Sequence, residues 1–518
     1  MRFCLGVVVA AAAFLSASCS LENVRLLPPG AEFAAFEEVP LAGGVNEWSE
    51  EFHPFVGATA IDIDGDGGEE IFVGGGHGYD DMLFSYRGGE MKNIVDGTGL
   101  SDSAATHGAN SVDLDGDGDA DLILARADGV FWYENDGGVF SRRRIPVRLP
   151  PDSAPLNVAA GDMDRDGDAD LYVSAFVDLA NFRSATFNDP SHAKTNVLLR
   201  NDNGVFTDIT EESGTASLQN TFLASFIDLD GDGWQDLVAA QNTGQVEIFR
   251  NKRDGTFAAE KTDTGWGFWM GLAAGDIDRD GDQDLFFTNS GTSVPAFVLE
   301  WAGDGTDEQP RNYGWILLRN DGGFNFSDVT AEYELDGYGF AWGAAFEDLT
   351  LDGELELLVA QNYIKWPPHR IAKLTNKTFV RRGGAFYHAP GLGLEHRAFS
   401  QSPLIADFDG DGRPDVFWAD MAGVGRAFLN RSENNFITLR FPDSARSFGA
   451  RAFVVNADGD KSIIRELHNN TGMSTDQRAA LTFGLGQNTA ARAVVEWPDG
   501  HIRTIDAPEI NTVIDVRR

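Results

Sequence analysis

With 518 residues, 42% of them hydrophobic, the chain has material for one large core or several smaller ones. Its 81 Asp and Glu against 40 Lys and Arg leave a formal charge of −41. That balance argues against nucleic acid as a partner, since phosphate binding needs clustered Lys and Arg, and favours cations, basic partners or a salty exterior.

The first residues read MRFCLGVVVAAAAFLSASCS. Arg2 is a positive n-region, Leu5 to Leu15 an apolar h-region, and Ser16-Ala17-Ser18 a small-residue cleavage site, the signature of export. Beyond it no apolar run is long enough to span a bilayer. The two cysteines, Cys4 and Cys19, both fall in this segment, so no disulfide is available to the folded part. Cleavage before Cys19 makes it the first residue of the mature chain, an arrangement that resembles a bacterial lipoprotein signal. Leu15, however, lies four residues before the cysteine rather than the usual three. The resemblance implies a lipid anchor at Cys19 as the one link to a membrane. The alternative is free secretion.

One nine-residue loop, DxDxDGxxD, then recurs seven times, its starts separated by 51, 49, 66, 48, 72 and 59 residues. The acids at positions 1, 3, 5 and 9 are Asp62, Asp64, Asp66 and Glu70; Asp113, Asp115, Asp117 and Asp121; Asp162, Asp164, Asp166 and Asp170; and Asp228, Asp230, Asp232 and Asp236. They continue as Asp276, Asp278, Asp280 and Asp284; then Asp348, Thr350, Asp352 and Glu356; then Asp407, Asp409, Asp411 and Asp415. Alternate residues of a tight turn aim their carboxylates into one concavity, and Gly at position 6 permits the positive φ that bends the chain back. Such an oxygen cage suits Ca2+, which accepts six to eight hard ligands in irregular geometry, better than Mg2+. Up to seven Ca2+ are expected, and they would change the formal charge from −41 to −27. Thr350 removes one carboxylate, so the loop 348–356 is the weakest or an empty site.

Position 12 separates a sensor from a scaffold. An EF-hand needs a bidentate Glu there, but the seven residues are Val73, Leu124, Val173, Ala239, Phe287, Val359 and Trp418, all apolar. Each loop leads into a short apolar run such as DLILA or DVFWAD, which reads as a buried strand. A second pattern trails most loops: FWYENDGGVF (131–140), VLLRNDNGVFTDIT (197–210), VEIFRNKRDGTF (246–257) and ILLRNDGGFNFSDVT (316–330). Each reads as strand, turn, strand. Four antiparallel strands repeated seven times predict an all-β fold, a seven-bladed β-propeller. The segment EFAAFEEVPLAGG (32–44) is similar to GVFTDITEESG and is expected to complete the last blade.

These repeats resemble the FG-GAP (VCBS-type) repeats of integrin α-chain propellers over residues 46–435. Residues 436–518 differ: ten basic and ten acidic residues, no DxDxDGxxD loop, and turns at DGD (458–460) and WPDG (497–500). FGAR (448–451), FGLG (483–486) and VVEWPDGHIRTI (494–505) resemble the ASPIC/UnbV module, expected as a small β-sandwich-like unit. Propeller followed by this module resembles the cartilage acidic protein 1-like family. The resemblance implies an exported or surface protein that binds calcium and contacts matrix or cells.

Long insertions at 179–196, 290–315 and 362–370 fall in connections between second and third strands, on the face opposite the calcium loops. Exposed Trp301, Trp315, Tyr363 and Trp366 there would suit sugars or peptides. His53, His107 and His396 precede the first strands of blades 1, 2 and 7 and would converge near the axis, the weak candidates for catalysis or a transition metal. No GxSxG, HExxH or Walker A pattern occurs. The expected function is binding or adhesion to a protein or glycan at the cell surface. The alternatives are a lyase or hydrolase working on the axial face and a structural subunit of a surface assembly.

Overall fold

The computed structural model describes residues 25–27, 36–44, 55–76, 78–177, 194–242, 244–291, 310–365 and 370–518. The signal segment with Cys19, His53, Trp301, Trp366 and most of the first two insertions lie outside the described residues. Among those described, no helix is long and apolar enough to cross a membrane.

Among the described residues the repeats form six four-stranded antiparallel sheets and a seventh in which four antiparallel strands carry a further parallel strand at each edge. Blade 2 shows the pattern: Thr106–Val112, Asp121–Arg126, Gly129–Asp136 and Val139–Arg144 follow one another from axis to rim. The innermost strands of the other blades are Ala58–Ile61, Ser153–Gly161, Thr221–Ile227, Leu272–Gly275, Ala344–Glu347 and Ser400–Ala406. Each blade packs on the next through its own apolar cluster. Blades 1 and 2 share Ile61, Phe72, Leu122 and Tyr133, and blades 3 and 4 share Tyr172, Leu198, Phe226 and Leu237. Blades 7 and 1 share Leu404, Phe417, Ile71 and Phe84, which closes the ring. Because both faces of a blade are covered, its strands carry apolar residues without strict alternation.

Near the axis the strands approach so closely that only glycine fits. A Cβ on Gly57 would lie 2.4 Å from the Gly108 backbone, and one on Gly271 would lie 2.3 Å from the Trp342 carbonyl oxygen.

The segment before blade 1 binds the rim of three blades. Leu26 bridges His388 of blade 6. Phe36–Val39 pairs antiparallel with Arg426–Asn430 as the fourth strand of blade 7, and Leu41–Ala42 runs parallel to Met91–Asn93 of blade 1.

Residues from Asn435 onward form two sheets. One pairs Asn435–Arg440 with Ala480–Gly486 and Thr512–Asp515, and the other contains Arg465–Glu466, Arg451–Asn456, Ala490–Glu496 and Ile502–Asp506. Ile437, Phe441, Phe448, Val454, Phe483 and Trp497 fill the space between them, continuous with the core between blades 2 and 3.

The connection 467–479 of this module enters the propeller axis. Thr475–Asp476 pairs parallel with Ala58 and Thr59, and Gly472 bridges Leu272. Asn469 donates to Asn110 Oδ1 at 2.9 Å and accepts the Ala160 N–H at 3.2 Å; Asn470 donates to Asn157 Oδ1 at 2.6 Å. Met473 reaches a fully apolar centre formed by Phe55, Phe176, Phe222, Met270, Trp342 and Met421. The axis is therefore filled with side chains.

Candidate metal centres

The DxDxDGxxD loops join the first and second strands of each blade, on the face that carries the C-terminal module. Local backbone geometry folds each loop around its first aspartate. In loop 1, Asp62 accepts the N–H of Gly65 at 2.8 Å and of Gly67 at 3.1 Å. In loop 4, Asp228 accepts the N–H of Asp232 at 3.1 Å and of Gly233 at 2.8 Å. Gly67 and Gly233 both have the positive φ required at position 6.

Carboxylate oxygens converge at the centres of these loops. Asp113, Asp115 and Asp121 each offer an oxygen within 4.8 Å of the others, as do Asp162, Asp164 and Asp170; Asp228, Asp230 and Asp236; and Asp276, Asp278 and Asp284. In loop 1 the group is Asp62, Asp64 and Asp66 instead, without Glu70. The position-5 acids Asp117, Asp166, Asp232 and Asp280 stand outside these triads, and Asp232 pairs with Arg253.

Several of the converging oxygens are buried with no hydrogen-bond donor among the described residues: Oδ1 of Asp162, Asp164, Asp230, Asp276, Asp407 and Asp409. Burial pushes Asp121 up to about 7 and Asp236 and Asp284 up to about 8, and holds Asp170 and Asp415 well above the usual carboxylate range. Buried like charges with unused lone pairs are costly unless a cation compensates them, so the donor set fits a hard, oxygen-seeking ion such as Ca2+.

Loop 6 is built differently. Thr350 donates its N–H to Glu356 Oε2 at 2.9 Å and its hydroxyl to Oε1 at 3.3 Å. Asp348 Oδ2 accepts from Gly353 and Gly484, at 2.9 and 2.8 Å, and Asp352 pairs with Arg382 at 2.6 Å. Burial and the neighbouring Asp352 charge raise both Asp348 and Glu356. The difference lies at position 3, where Thr350 turns a hydroxyl to Glu356 in place of the carboxylate the other loops present.

The position-9 acid also has a partner that sequence reasoning missed. In loops 2, 3, 4, 5 and 7 it accepts the backbone N–H of Asn135, Asn201, Asn251, Asn320 or Asn430, at 2.7–2.8 Å. The same asparagine side chains reach the preceding blade: Asn135 donates to Ile63 O, Asn251 to Met163 O, Asn320 to Leu229 O and Asn430 to Leu349 O. The signal is the Asn that recurs near the end of the third strand in FWYEND, IFRN, LLRN and AFLN.

The other candidates fare differently. His107 is buried, with Nδ1 at 3.0 Å from the Pro155 carbonyl oxygen. His396 lies against Trp418 and Phe428, and burial lowers it to about 4. The contacts described for these two imidazoles do not bring them together. Trp315, expected to be exposed, is 4% exposed and stacks on Tyr338 at 4.9 Å, with its indole N–H on the Gly339 carbonyl. Its large ring fills the core between blades 5 and 6. Tyr363 lies on the strand Asn362–Lys365.

Comparison with known proteins agrees with this architecture. Residues 113–173 and 228–287 match the FG-GAP-like repeat, and residues 443–518 match ASPIC and UnbV. The chain is 23% identical to cartilage acidic protein 1 of Homo sapiens over 493 residues, which cover 89% of this chain and 63% of that protein. It is 24% identical to the Xenopus tropicalis protein of the same name, covering 89% and 64%. The chain thus spans less than two thirds of the length of these relatives. Similar solved structures include a rhamnogalacturonan lyase of Bacillus licheniformis, at TM-score 0.42 and 14% identity over 77% of this chain and 76% of that one. The BP39L lectin of Burkholderia pseudomallei aligns at TM-score 0.45 and 12% identity, over 74% and 98%. Likeness at that level carries no argument about activity. By its repeats, its C-terminal module and its homology over most of its length, the chain is an FG-GAP-repeat protein with an ASPIC and UnbV domain, homologous to cartilage acidic protein 1.

Proposed function

We propose that this is an exported, calcium-stiffened propeller that acts at the cell surface, or outside the cell, as a binding and adhesion module for a protein or glycan. A lipid at Cys19 would hold it to the membrane; without one it is secreted. The observation that carries the calcium reading is the convergence of aspartate oxygens in five loops, three of which (loops 3, 4 and 5) hold buried oxygens with no protein donor among the described residues. The C-terminal module covers the loop face, so the surface left for a ligand is the opposite face and the rim.

Calcium titration by calorimetry, followed by glycan and surface-protein binding screens with and without EGTA, tests both halves. Calcium binding with several equivalents, and a ligand whose capture weakens in EGTA, is the expected result. Absence of calcium heat overturns the metal reading. A calcium-loaded protein that captures neither glycans nor surface proteins overturns the adhesion reading.

A further inference from the structure

Where the C-terminal module meets blades 5 and 6, a partly open cavity of about 60 Å3 lies between them. Its wall carries buried polar atoms without a hydrogen-bond partner among the described residues: both amide atoms of Gln283, Glu466 Oε2 and His468 Nδ1. Gln283 is 1% exposed and Glu466 is 4% exposed. Tertiary packing alone brings these groups together, because Gln283 belongs to loop 5 and the other two to the start of the axial connection.

Glu466 is the unusual member. Its Oε1 accepts the Asp228 N–H at 3.0 Å, which leaves Oε2 unused. The one cationic candidate within 4 Å is His468, whose Nδ1 lies 3.9 Å from Oε1, too far for a hydrogen bond. The nearby guanidinium groups bond elsewhere through their terminal nitrogens, and Nε of Arg451 and of Arg478 has no hydrogen-bond partner among the described residues. Arg465 grips Glu347 through two bonds of 2.6 Å, Arg478 donates to the Thr482 hydroxyl, and Arg451 donates to the Gly281 carbonyl. A buried carboxylate is normally paired or coordinates a metal.

We propose that Glu466, His468 and Gln283 form a site for one divalent transition-metal ion of the zinc class, clasping the C-terminal module to blade 5. The donor set is one carboxylate oxygen, one imidazole nitrogen and one amide oxygen, and imidazole selects Zn2+, Co2+ or Ni2+ over Ca2+ and Mg2+. Ligand atoms about 2.0–2.1 Å from a tetrahedral ion lie about 3.3 Å apart; His468 Nδ1 stands 3.9 Å from Glu466 Oε1, the oxygen that also accepts the Asp228 N–H. A water occupies about 30 Å3. The cavity therefore has room for an ion together with water. None of the three ligands belongs to the acid positions of the DxDxDGxxD loops, so the site stands apart from the calcium reading.

The test is a Co2+ titration of the full chain in saturating Ca2+, followed by visible absorption, since a four-coordinate site gives an intense band where oxygen loops of six or more ligands give a weak one. One equivalent is expected. Glu466→Gln, which keeps an oxygen for the Asp228 N–H, and His468→Gln should each weaken Co2+ binding at least tenfold. Gln283→Glu should tighten it. The proposal is overturned if the Ca2+-saturated protein shows no Co2+ band, or if His468→Gln binds Co2+ as the parent does; the cavity then holds water alone. If Glu466→Gln fails to fold, the other two variants decide, and a Gln283→Glu protein that is destabilised without binding Co2+ more tightly also overturns the site.

Discussion

Replacing Met473 by alanine tests whether the C-terminal connection is part of the propeller core. Met473 is fully buried at the axis, among Phe55, Phe176, Phe222, Met270, Trp342 and Met421. Those rings are already packed on one another: Phe55 lies 5.7 Å from both Phe222 and Trp342, and Phe222 lies 5.9 Å from Trp342. Each is rooted in or beside a different blade, so the ring cannot collapse inward without moving whole sheets. Met→Ala in a core costs about 2–5 kcal/mol, and the cost rises when the site cannot relax. We therefore expect about 3–5 kcal/mol for Met473→Ala. Urea unfolding followed by tryptophan fluorescence and far-ultraviolet circular dichroism measures it, with Trp342 beside the cavity as a local reporter. Ile502→Ala, on a strand position 58% exposed, is the control and should change stability by about 0.5 kcal/mol or less. A loss under about 1 kcal/mol for Met473→Ala, with module and propeller unfolding separately, would refute the reasoning.

Three further predictions concern metals and buried charge. EGTA should lower the melting temperature, and the gap between calcium-loaded and chelated protein should widen from pH 5 to pH 8. The sign follows from Asp236 and Asp284: burial raises both from 3.8 to about 8, so without metal the fold favours their neutral forms. That stability is present below 3.8 and is lost as pH rises towards 8, while calcium binding strengthens over the same range; equal gaps at both pH values would sink the idea. Calorimetric stoichiometry should fall by one in Asp230→Asn and stay unchanged in Asp348→Asn, because Thr350 removes a carboxylate from loop 6 and turns its hydroxyl to Glu356; a loss in the second variant contradicts that. Asp81→Asn should cost about 3 kcal/mol in urea unfolding, because it leaves Arg126, buried and 2.5 Å from Asp81, with a single remaining carboxylate partner, Asp102. An unchanged midpoint would show that the pair is not needed.

The division between what was legible in the chain and what was not follows the range of the interactions. A DxDxDG turn closes on itself within nine residues, so its carboxylate geometry follows from local backbone constraints and can be read from spacing. The apolar strands that follow, and the repeat near 50 residues, likewise specify four-stranded units that need neighbours to bury both faces. Loop 6 was legible for the same reason, since Thr350 sits inside the motif. The role of Asn135 and its counterparts was half visible. Its recurring place could be read, but its bond to the preceding blade depends on how two sheets meet.

The failures were all long-range. Trp315 looked available because it ends an insertion, yet the gap between blades 5 and 6 needed a large ring. No short-range pattern indicates that residues 467–479 fill the axis, because the pairing of Thr475 with Ala58 joins residues more than four hundred positions apart. Gln283, Glu466 and His468 carry no motif between them. By itself the sequence determined the acidic turns, the strands and the repeat, all set by contacts a few residues long. The tertiary structure alone decided what closes the axis and which buried polar groups face one another across the seam.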